Sequence, residues 1–210
     1  HVMPVVSTYV ERLGSRLGEL GIAAPLLLMK SSGGVTGAEA VRRAPVETAL
    51  SGPAAGAVGA AFAGQSAGIG DLIGIDIGGT SAEVSLIRNG EPGLTTNGRI
   101  GDWPIGLPIV DIVTIGAGGG SIARVDAGGV LHVGPESAGA VPGPACYGRG
   151  GEEATITDAN VVLGRIDPER FLGGEMKLDR DRAIAAVQRI ADRLGLGLLE
   201  AAEGVLTIAH

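Results

Sequence analysis

The chain has 210 residues, a formal charge of −7, 45% apolar but only 2% aromatic side chains, and 38 glycines. A chain of this length can bury about 70% of its unfolded surface, so a self-sufficient core is expected, packed from Val, Ile, Leu and Ala. Dispersed basic residues on an acidic chain exclude nucleic acid and anionic membrane surfaces as main partners. No apolar run nears the roughly 20 residues of a membrane helix, and no signal-like start is present, so a soluble cytoplasmic protein is expected.

The first periodic segment carries Val6, Tyr9, Val10, Leu13, Leu17 and Leu20 at helical spacing and predicts an amphipathic helix ending near Gly21. Pro25–Met29 reads as a short buried strand leading into Ser31-Ser32-Gly33-Gly34, the kind of polar loop that α/β folds place at strand ends. A short helix over 37–43 is interrupted by Pro45. Ser51 is a candidate cap for a helix rich in small residues, with Pro53 in its first turn and Ala54 to Ala63 in its body. The small side chains suit close packing on a neighbour. The functional alternative is a positive helix end turned towards phosphates.

Two β-type runs then meet through Gly78-Gly79-Thr80-Ser81, with Asp76 near the end of the first. Paired glycines bring backbone N–H groups close to an anion, and the hydroxyls add donors at the same turn. The adjacent acid would repel a bare phosphate, which suggests a divalent cation or an ordered water between them. An ordinary tight hairpin is the structural alternative. Asn89-Gly90 predicts the next turn, with a return strand near residues 94–96, and Trp103 to Pro108 reads as an irregular connection.

Val110 to Ile115 is a β-branched run opening into Gly116-Ala117-Gly118-Gly119-Gly120-Ser121. Ile122 to Asp126 alternates like a strand where a dinucleotide fingerprint needs a helix, so a Rossmann site is excluded, and no P-loop motif occurs. Residues 134–151, dense in glycine and proline, predict a long loop of the kind that is either functional or disordered, and its fixed prolines favour order. Thr157 or Asp158 is the candidate cap of a short helix, and Asp179 or Asp181 of a clear amphipathic one carrying Ala183, Ile184, Val187, Ile190, Ala191 and Leu194. A last apolar-periodic segment covers 199–209.

Histidines occur only at positions 1, 132 and 210, and Cys146 is alone, so neither a zinc cluster nor a disulfide is expected. Cys146 reads as a packed loop residue. A hydrolytic triad would have to rely on His132, inside a predicted strand between Leu131 and Val133, where a merely exposed histidine is the commoner case. The chemistry left is anion handling by glycine loops with hydroxyls. Candidate cofactor-binding residues are Gly78, Gly79, Thr80, Ser81, Gly118, Gly119, Gly120 and Ser121, with Asp76 catalytic and Asp76 and Glu83 as metal ligands.

The Asp76–Ser81 core resembles the second phosphate motif of the hydantoinase A/5-oxoprolinase family, in the actin, sugar kinase and Hsp70 ATPase superfamily. Lys30–Gly34, Ser51–Gly56, Gly116–Ser121, Val133–Ala140, Pro142–Gly148 and Thr157–Asn160 agree in the same order over nearly the whole chain. The resemblance implies an α/β, actin-like (ribonuclease H-like) ATPase fold, a mixed sheet flanked by helices. It also implies that residues 1–210 form a hydantoinase A-type domain from the middle of a longer protein. Implied too are ATP and Mg as cofactors, a cyclic amide (hydantoin or 5-oxoproline) activated for ring opening, and a B-type hydantoinase subunit or domain as partner.

On that resemblance Gly78, Gly79, Thr80 and Ser81 contact nucleotide phosphates, while Asp76 holds magnesium through water or orients the reacting group. The sequence departs from the family pattern at Ala82 and Glu83, which stand where threonine and aspartate are usual. That departure keeps open a noncatalytic structural or regulatory domain, and the ATP subunit of a ketone carboxylase is a further alternative. The family's first phosphate loop and adenosine motif are not found, so the 210 residues alone are expected not to hydrolyse ATP.

Overall fold

The computed structural model describes residues 3–100 and 103–209; His1 and His210 lie outside them. The chain divides into two units, one of His1–Asp76 with Glu83–Val113 and one of Ile77–Ala82 with Thr114–His210. The fold is mixed α/β.

In the first unit, α1 (Met3–Glu19) buries Val10 and half-buries Val6, Leu13 and Leu17, whereas Tyr9 and Leu20 stay exposed. The antiparallel pair β1 (Leu27–Met29) and β2 (Val35–Gly37) follows, then α2 (Ala38–Arg43). The expectation that β1 is buried fails: Leu27 is exposed, because a two-stranded hairpin has no third strand to shield it. A 3₁₀ turn at Pro45–Thr48 leads into α3 (Ser51–Ser66). Leu50 holds the cap position and its side chain makes no capping bond, so Ser51 sits one residue inside the helix instead of capping it.

Strands β3 (Leu72–Ile77) and β4 (Ala82–Arg88) are neighbours, followed by β5 (Glu91–Pro92), β6 (Leu94–Thr95), β7 (Gly98–Ile100), β8 (Trp103–Ile105), β9 (Ile109–Val110) and β10 (Ile112–Ile115). The sheet order is β10-β4-β3, with β5 on β4. Asn89 and Gly90 both have positive φ, 53° and 79°, as a two-residue hairpin turn of the I′ type requires. The return strand is therefore Glu91–Pro92, earlier than expected, and Leu94–Thr95 pairs with β9 instead. The 103–108 segment is less irregular than expected, since Trp103–Ile105 pairs with Gly98–Ile100.

Helix α3 lies on one face of this sheet, and its small residues set how closely. A Cβ on Gly64 would overlap Leu72 Cδ2, one on Gly74 would stand 3.3 Å from Ala60 Cβ, and one on Gly56 would stand 3.2 Å from Asp76 Oδ2. Gly56, Ala60 and Gly64 recur every four residues, so they form one ridge of the helix facing Asp76, Gly74 and Leu72 in turn.

The second unit pairs β11 (Ser121–Val125) with β12 (Leu131–Ser137), antiparallel, with a bulge between Ser121 and Ala123. Strand β12 runs through Gly134-Pro135, where the composition predicts that a loop begins. Helices α4 (Ile156–Val162), α5 (Arg180–Leu194) and α6 (Leu198–Ala209) complete it. Its core joins Ala123 and Val125 to Val161, Val187, Ala191 and Val205. Asp179 caps α5 by accepting from Arg182 N–H, and Gly195 closes it in the left-handed conformation.

The ridge of α3 separates two glycines by space. Gly59→Ala, with nothing within 4 Å of the new Cβ, should gain up to about 1 kcal/mol from helix propensity. Gly64→Ala gains the same propensity but meets Leu72 and the Ile69 carbonyl, an overpacking cost of about 1–3 kcal/mol. Urea unfolding midpoints of the two variants should therefore move in opposite directions.

Candidate functional site

The turn between β3 and β4 belongs, at residues 77–82, to the second unit. Gly78 N–H donates to Ser81 C=O at 2.9 Å and closes the turn. Behind it lies the Gly118–Ser121 loop: Gly119 N–H donates to Gly78 C=O at 3.0 Å and Gly120 N–H to Gly79 C=O at 2.6 Å. Ser137 Oγ also donates to Gly79 C=O, at 3.4 Å.

This arrangement has a directional result. In a trans peptide the C=O and the N–H point opposite ways. With the Gly78 and Gly79 carbonyls turned onto the second loop, the N–H groups of Gly79 and Thr80 face the other way. Neither of those N–H groups nor the Thr80 hydroxyl has a hydrogen-bond partner among the described residues, and Gly78 to Thr80 are exposed. Two successive outward N–H groups beside a hydroxyl form a donor concavity suited to an anion.

Besides the two N–H groups given to the turn, the donors of the second loop are spent within it. Gly118 N–H donates to Ser121 Oγ at 3.0 Å, and that fully buried hydroxyl donates on to Gly116 C=O at 3.3 Å. A Cβ on Gly118 would come within 2.5 Å of Thr80 C and Ser81 N, and one on Gly120 within 2.8 Å of Gly79 O. Gly118 and Gly120 thus serve close backbone approach, Gly119 leaves room for the Thr157 hydroxyl, and the loop acts as a brace against the turn.

That brace is held in its turn. Thr157 donates both its N–H and its hydroxyl to Gly119 C=O, each at 2.8 Å. The next residue, Asp158, is fully buried and accepts from Ala145 N–H (3.2 Å), Cys146 N–H (2.8 Å), Thr155 N–H (3.0 Å) and Thr155 Oγ (2.8 Å). Thr155, not Thr157 or Asp158, is the cap of α4, and Asp158 completes a capping box three residues in. The Thr-x-x-Asp spelling was the readable signal for this pair. Its bonds to Ala145 and Cys146 had none.

In the first unit, Asp76 and Glu83 line one small cavity of about 40 Å³ together with Pro53, Gly56, Ser85 and Ile112. That is space for about one water or a bare cation. Since magnesium is commonly held by one or two carboxylates, with water and substrate phosphates supplying the rest, this donor set fits such an ion. A side chain at position 56 would crowd Asp76 Oδ2. No group of three or more His, Cys, Asp or Glu suited to a metal occurs among the described residues.

Other candidates for chemistry are spoken for. His132 Nε2 lies 2.8 Å from Asp126 Oδ2, both exposed; the Val130 N–H first, and then His132, hold the Asp126 carboxyl below its usual range. Cys146 is fully buried, and burial together with the Asp158 charge pushes its thiol well above the usual value, so it is a poor nucleophile. No helix among the described residues is long and apolar enough to cross a membrane.

Comparison with known proteins bears on the family and the fold. The family model described as Hydantoinase/oxoprolinase matches residues 1–210. The alpha subunit of caprolactamase from Pseudomonas jessenii is 39% identical over 211 residues, covering 100% of this chain and 30% of that protein. 5-Oxoprolinase 1 of Arabidopsis thaliana is 38% identical over 178 residues, covering 81% of this chain and 13% of that protein. The nucleotide-free structure of acetone carboxylase superposes with a TM-score of 0.85 at 36% identity, over 94% of this chain and 28% of that one. These structural relatives have the actin-like ATPase fold, and the present chain shares it. It spans less than a third of the length of each.

Asp158→Asn keeps the shape but sets an amide donor against a cluster of four donors. It should lower stability by about 3 kcal/mol or more, read as a shifted urea midpoint at unchanged slope. Gly118→Ala should lower stability by about 1–3 kcal/mol by pushing a methyl group into the Thr80 backbone.

Proposed function

The chain belongs to the hydantoinase/oxoprolinase family, and from that premise we propose that it is the phosphate-handling part of an ATP-dependent enzyme that activates a cyclic amide, of the hydantoin or 5-oxoproline kind, for ring opening. The observation that carries this reading is the pair of outward N–H groups at Gly79 and Thr80, fixed by carbonyls tied to the opposite loop.

In this reading the Gly79 and Thr80 N–H groups and the Thr80 and Ser81 hydroxyls bind the terminal phosphates of ATP. Asp76, with Glu83, holds magnesium, through water where needed. Gly118 to Ser121 serve the nucleotide by keeping the turn rigid, so that donors stand in place before the phosphate arrives. Such preorganisation is where phosphoryl transfer draws most of its acceleration. ATP, when bound, supplies a phosphoryl group that turns a poor amide electrophile into a reactive one. Ring opening would be completed with a B-type partner subunit or domain, a reading supported by relatives named as subunits, among them the alpha subunit of caprolactamase. A cytoplasmic setting, with access to the cell's ATP, goes with this activity.

A second reading, the ATP subunit of a ketone carboxylase, draws support from the acetone carboxylase superposition at TM-score 0.85, against 0.78 for ATP-dependent caprolactamase from Pseudomonas jessenii. Both readings use the same phosphate turn. They part on the co-substrate: turnover of ATP that needs bicarbonate and a ketone marks the carboxylase, and turnover with a lactam or hydantoin alone marks the hydrolase. The noncatalytic alternative rests on Ala82 and Glu83. Against it, Glu83 shares its cavity with Asp76 and so still offers a carboxylate there.

Calorimetric titration of the protein within its complete reading frame should show Mg-ATP binding in the micromolar range. Thr80→Ala should weaken it by about tenfold, since a hydrogen bond to a charged group contributes about 1.5–3 kcal/mol. Asp76→Asn should lower turnover by about 100-fold or more, about 2.7 kcal/mol of barrier. The 210 residues alone should show no ATP turnover. Unchanged affinity in Thr80→Ala and unchanged turnover in Asp76→Asn would together remove the phosphate-turn reading.

A further inference from the structure

Apart from the Asp76 cavity, the first unit holds another pocket, and a single serine in the loop between β1 and β2 organises it. Ser31 is 2% exposed, and three segments meet on it: its N–H donates to Glu47 C=O at 2.6 Å, its C=O accepts from Val110 N–H at 2.8 Å, and its hydroxyl accepts from Leu50 N–H at 3.1 Å. The loop itself is closed by Lys30 N–H on Gly34 C=O (2.7 Å) and by Gly33 N–H on Lys30 C=O (3.0 Å). The loop, the 3₁₀ turn at Pro45–Thr48 and β9 are thereby fixed around a cavity of about 140 Å³. Its lining is apolar at Val46, Leu107 and Ile109 and polar at Lys30, Ser32 and Glu47. Lys30 Nζ stands 2.7 Å from Glu47 Oε2, both side chains half-buried. The Ser32 N–H and hydroxyl have no hydrogen-bond partner among the described residues.

Size, charge and geometry each narrow what fits. A cavity of about 150 Å³ takes a benzene-sized ring, so this one holds a single five- or six-membered ring and is too small for a nucleotide. The Lys30–Glu47 pair sums to zero charge, so nothing there offsets the desolvation of a ligand carboxylate, and a neutral ring is preferred. The pair also sets a donor beside an acceptor. An amide inside a small ring is cis, with its C=O and N–H on one edge and their heavy atoms about 2.3 Å apart by standard bond lengths. In an open-chain trans amide the two groups point opposite ways. Only the cis edge can accept from Lys30 and donate to Glu47 at once. The ammonium has three donors and the carboxylate two oxygens, so the ion pair need not break to admit it.

We propose that this pocket seats the cyclic amide: Lys30 donates to the ring carbonyl, Glu47 accepts from the adjacent N–H, Ser32 supplies a further donor, and the apolar lining covers the hydrocarbon of the ring. The inference rests on the reading of the chain as part of an enzyme that activates a cyclic amide. It adds a preference within that reading, for a neutral lactam or hydantoin over a ring bearing a carboxylate, such as 5-oxoproline. Ile109 lines this pocket and Ile112 the cavity of Asp76 and Glu83. Three steps of chain keep their Cα atoms within about 11 Å of each other, so the two cavities are neighbours in one unit.

The test titrates the complete reading frame, without nucleotide, with γ-butyrolactam, N-methyl-γ-butyrolactam and 5-oxoproline, followed by ligand-observed NMR. The expected result is millimolar binding of γ-butyrolactam, with the N-methyl ring and 5-oxoproline at least tenfold weaker. Glu47→Gln should weaken γ-butyrolactam about tenfold, as loss of a charged hydrogen-bond partner does. Leu107→Trp, which fills the cavity with an indole, should remove binding. Circular dichroism checks that both variants are folded, and should Leu107→Trp not fold, Glu47→Gln and the N-methyl probe still decide. No binding of γ-butyrolactam, equal binding of its N-methyl derivative or of 5-oxoproline, or equal affinity in wild type and Glu47→Gln would each overturn the proposal. Calorimetry with Mg-ATP, run in parallel, separates the two readings. Mg-ATP binding beside a lactam indifferent to the variants removes the pocket alone, whereas a lactam held as expected without any Mg-ATP binding removes the nucleotide reading and leaves the amide pocket standing.

Discussion

One buried carboxylate organises the second unit. Asp158 receives four donors, two of them main-chain N–H groups of Ala145 and Cys146 and two from its capping partner Thr155. A fully buried ionised group is tolerated only when its lone pairs are satisfied, so the bonds are reciprocal in effect. The acid needs the loop, and the loop, which has few regular backbone bonds, is held in one conformation by the acid. The consequences run outward through the chain. Fixing the first turn of α4 places Thr157, which grips Gly119 C=O with two donors. Gly119 in turn grips Gly78. The donor turn is thus the far end of a chain of hydrogen bonds that begins at a fully buried residue.

Glycine does a different job here from the one its abundance suggests. At Asn89-Gly90 the backbone needs positive φ, and that is the conformational use. At Gly56, Gly64, Gly118 and Gly120 the need is for an absent Cβ, because another backbone, a carboxylate or a leucine already occupies that space. A chain with almost no aromatic residues cannot build a core from a few large side chains. It gains contact by letting elements approach closely, and dispersion then accumulates over many short contacts.

The same economy of side chains decides what the sequence could show. Helices α1, α5 and α6 are legible because several turns of 3.6-residue periodicity leave little ambiguity, and the turn at Asn89-Gly90 because its φ requirement is met by few residue pairs. The short strands are not. Strands of a few residues carry no period, so the sequence places Leu94–Thr95 with the wrong partner strand and ends β12 too early, at Gly134-Pro135. The cap of α4 is misplaced onto Thr157 or Asp158, since Thr155, Thr157 and Asp158 all suit a cap in isolation and only the loop at Ala145-Cys146 selects Asp158 for the interior. Lone hydroxyls mislead in the same way: Ser51 spells a cap and sits inside its helix. In the site, residue identity marks the donor turn at once. The division of labour between the two glycine loops is invisible, because both read as Gly-Gly followed by a hydroxyl residue, and only the direction of the carbonyls separates them.

Carbonyl direction also explains how an acid can stand so few residues before a turn of outward-facing donors. The Gly79 and Thr80 donors owe their orientation to the brace behind them and not to Asp76, so the carboxylate is free of any duty in shaping the turn. It lies instead against Gly56, where the missing Cβ leaves the space beside Oδ2 open, and it shares its cavity with Glu83. Replacing aspartate by glutamate at position 83 lengthens that side chain by one methylene without removing its charge, so the cavity keeps two carboxylates. The loss at Ala82 is of another kind. Ala82 is buried at the base of β4, so a threonine there would compete with packed neighbours, and its hydroxyl would have to be satisfied internally. The two departures from the family pattern are therefore unequal, and the nucleotide reading rests on the donors that remain at residues 79 to 81.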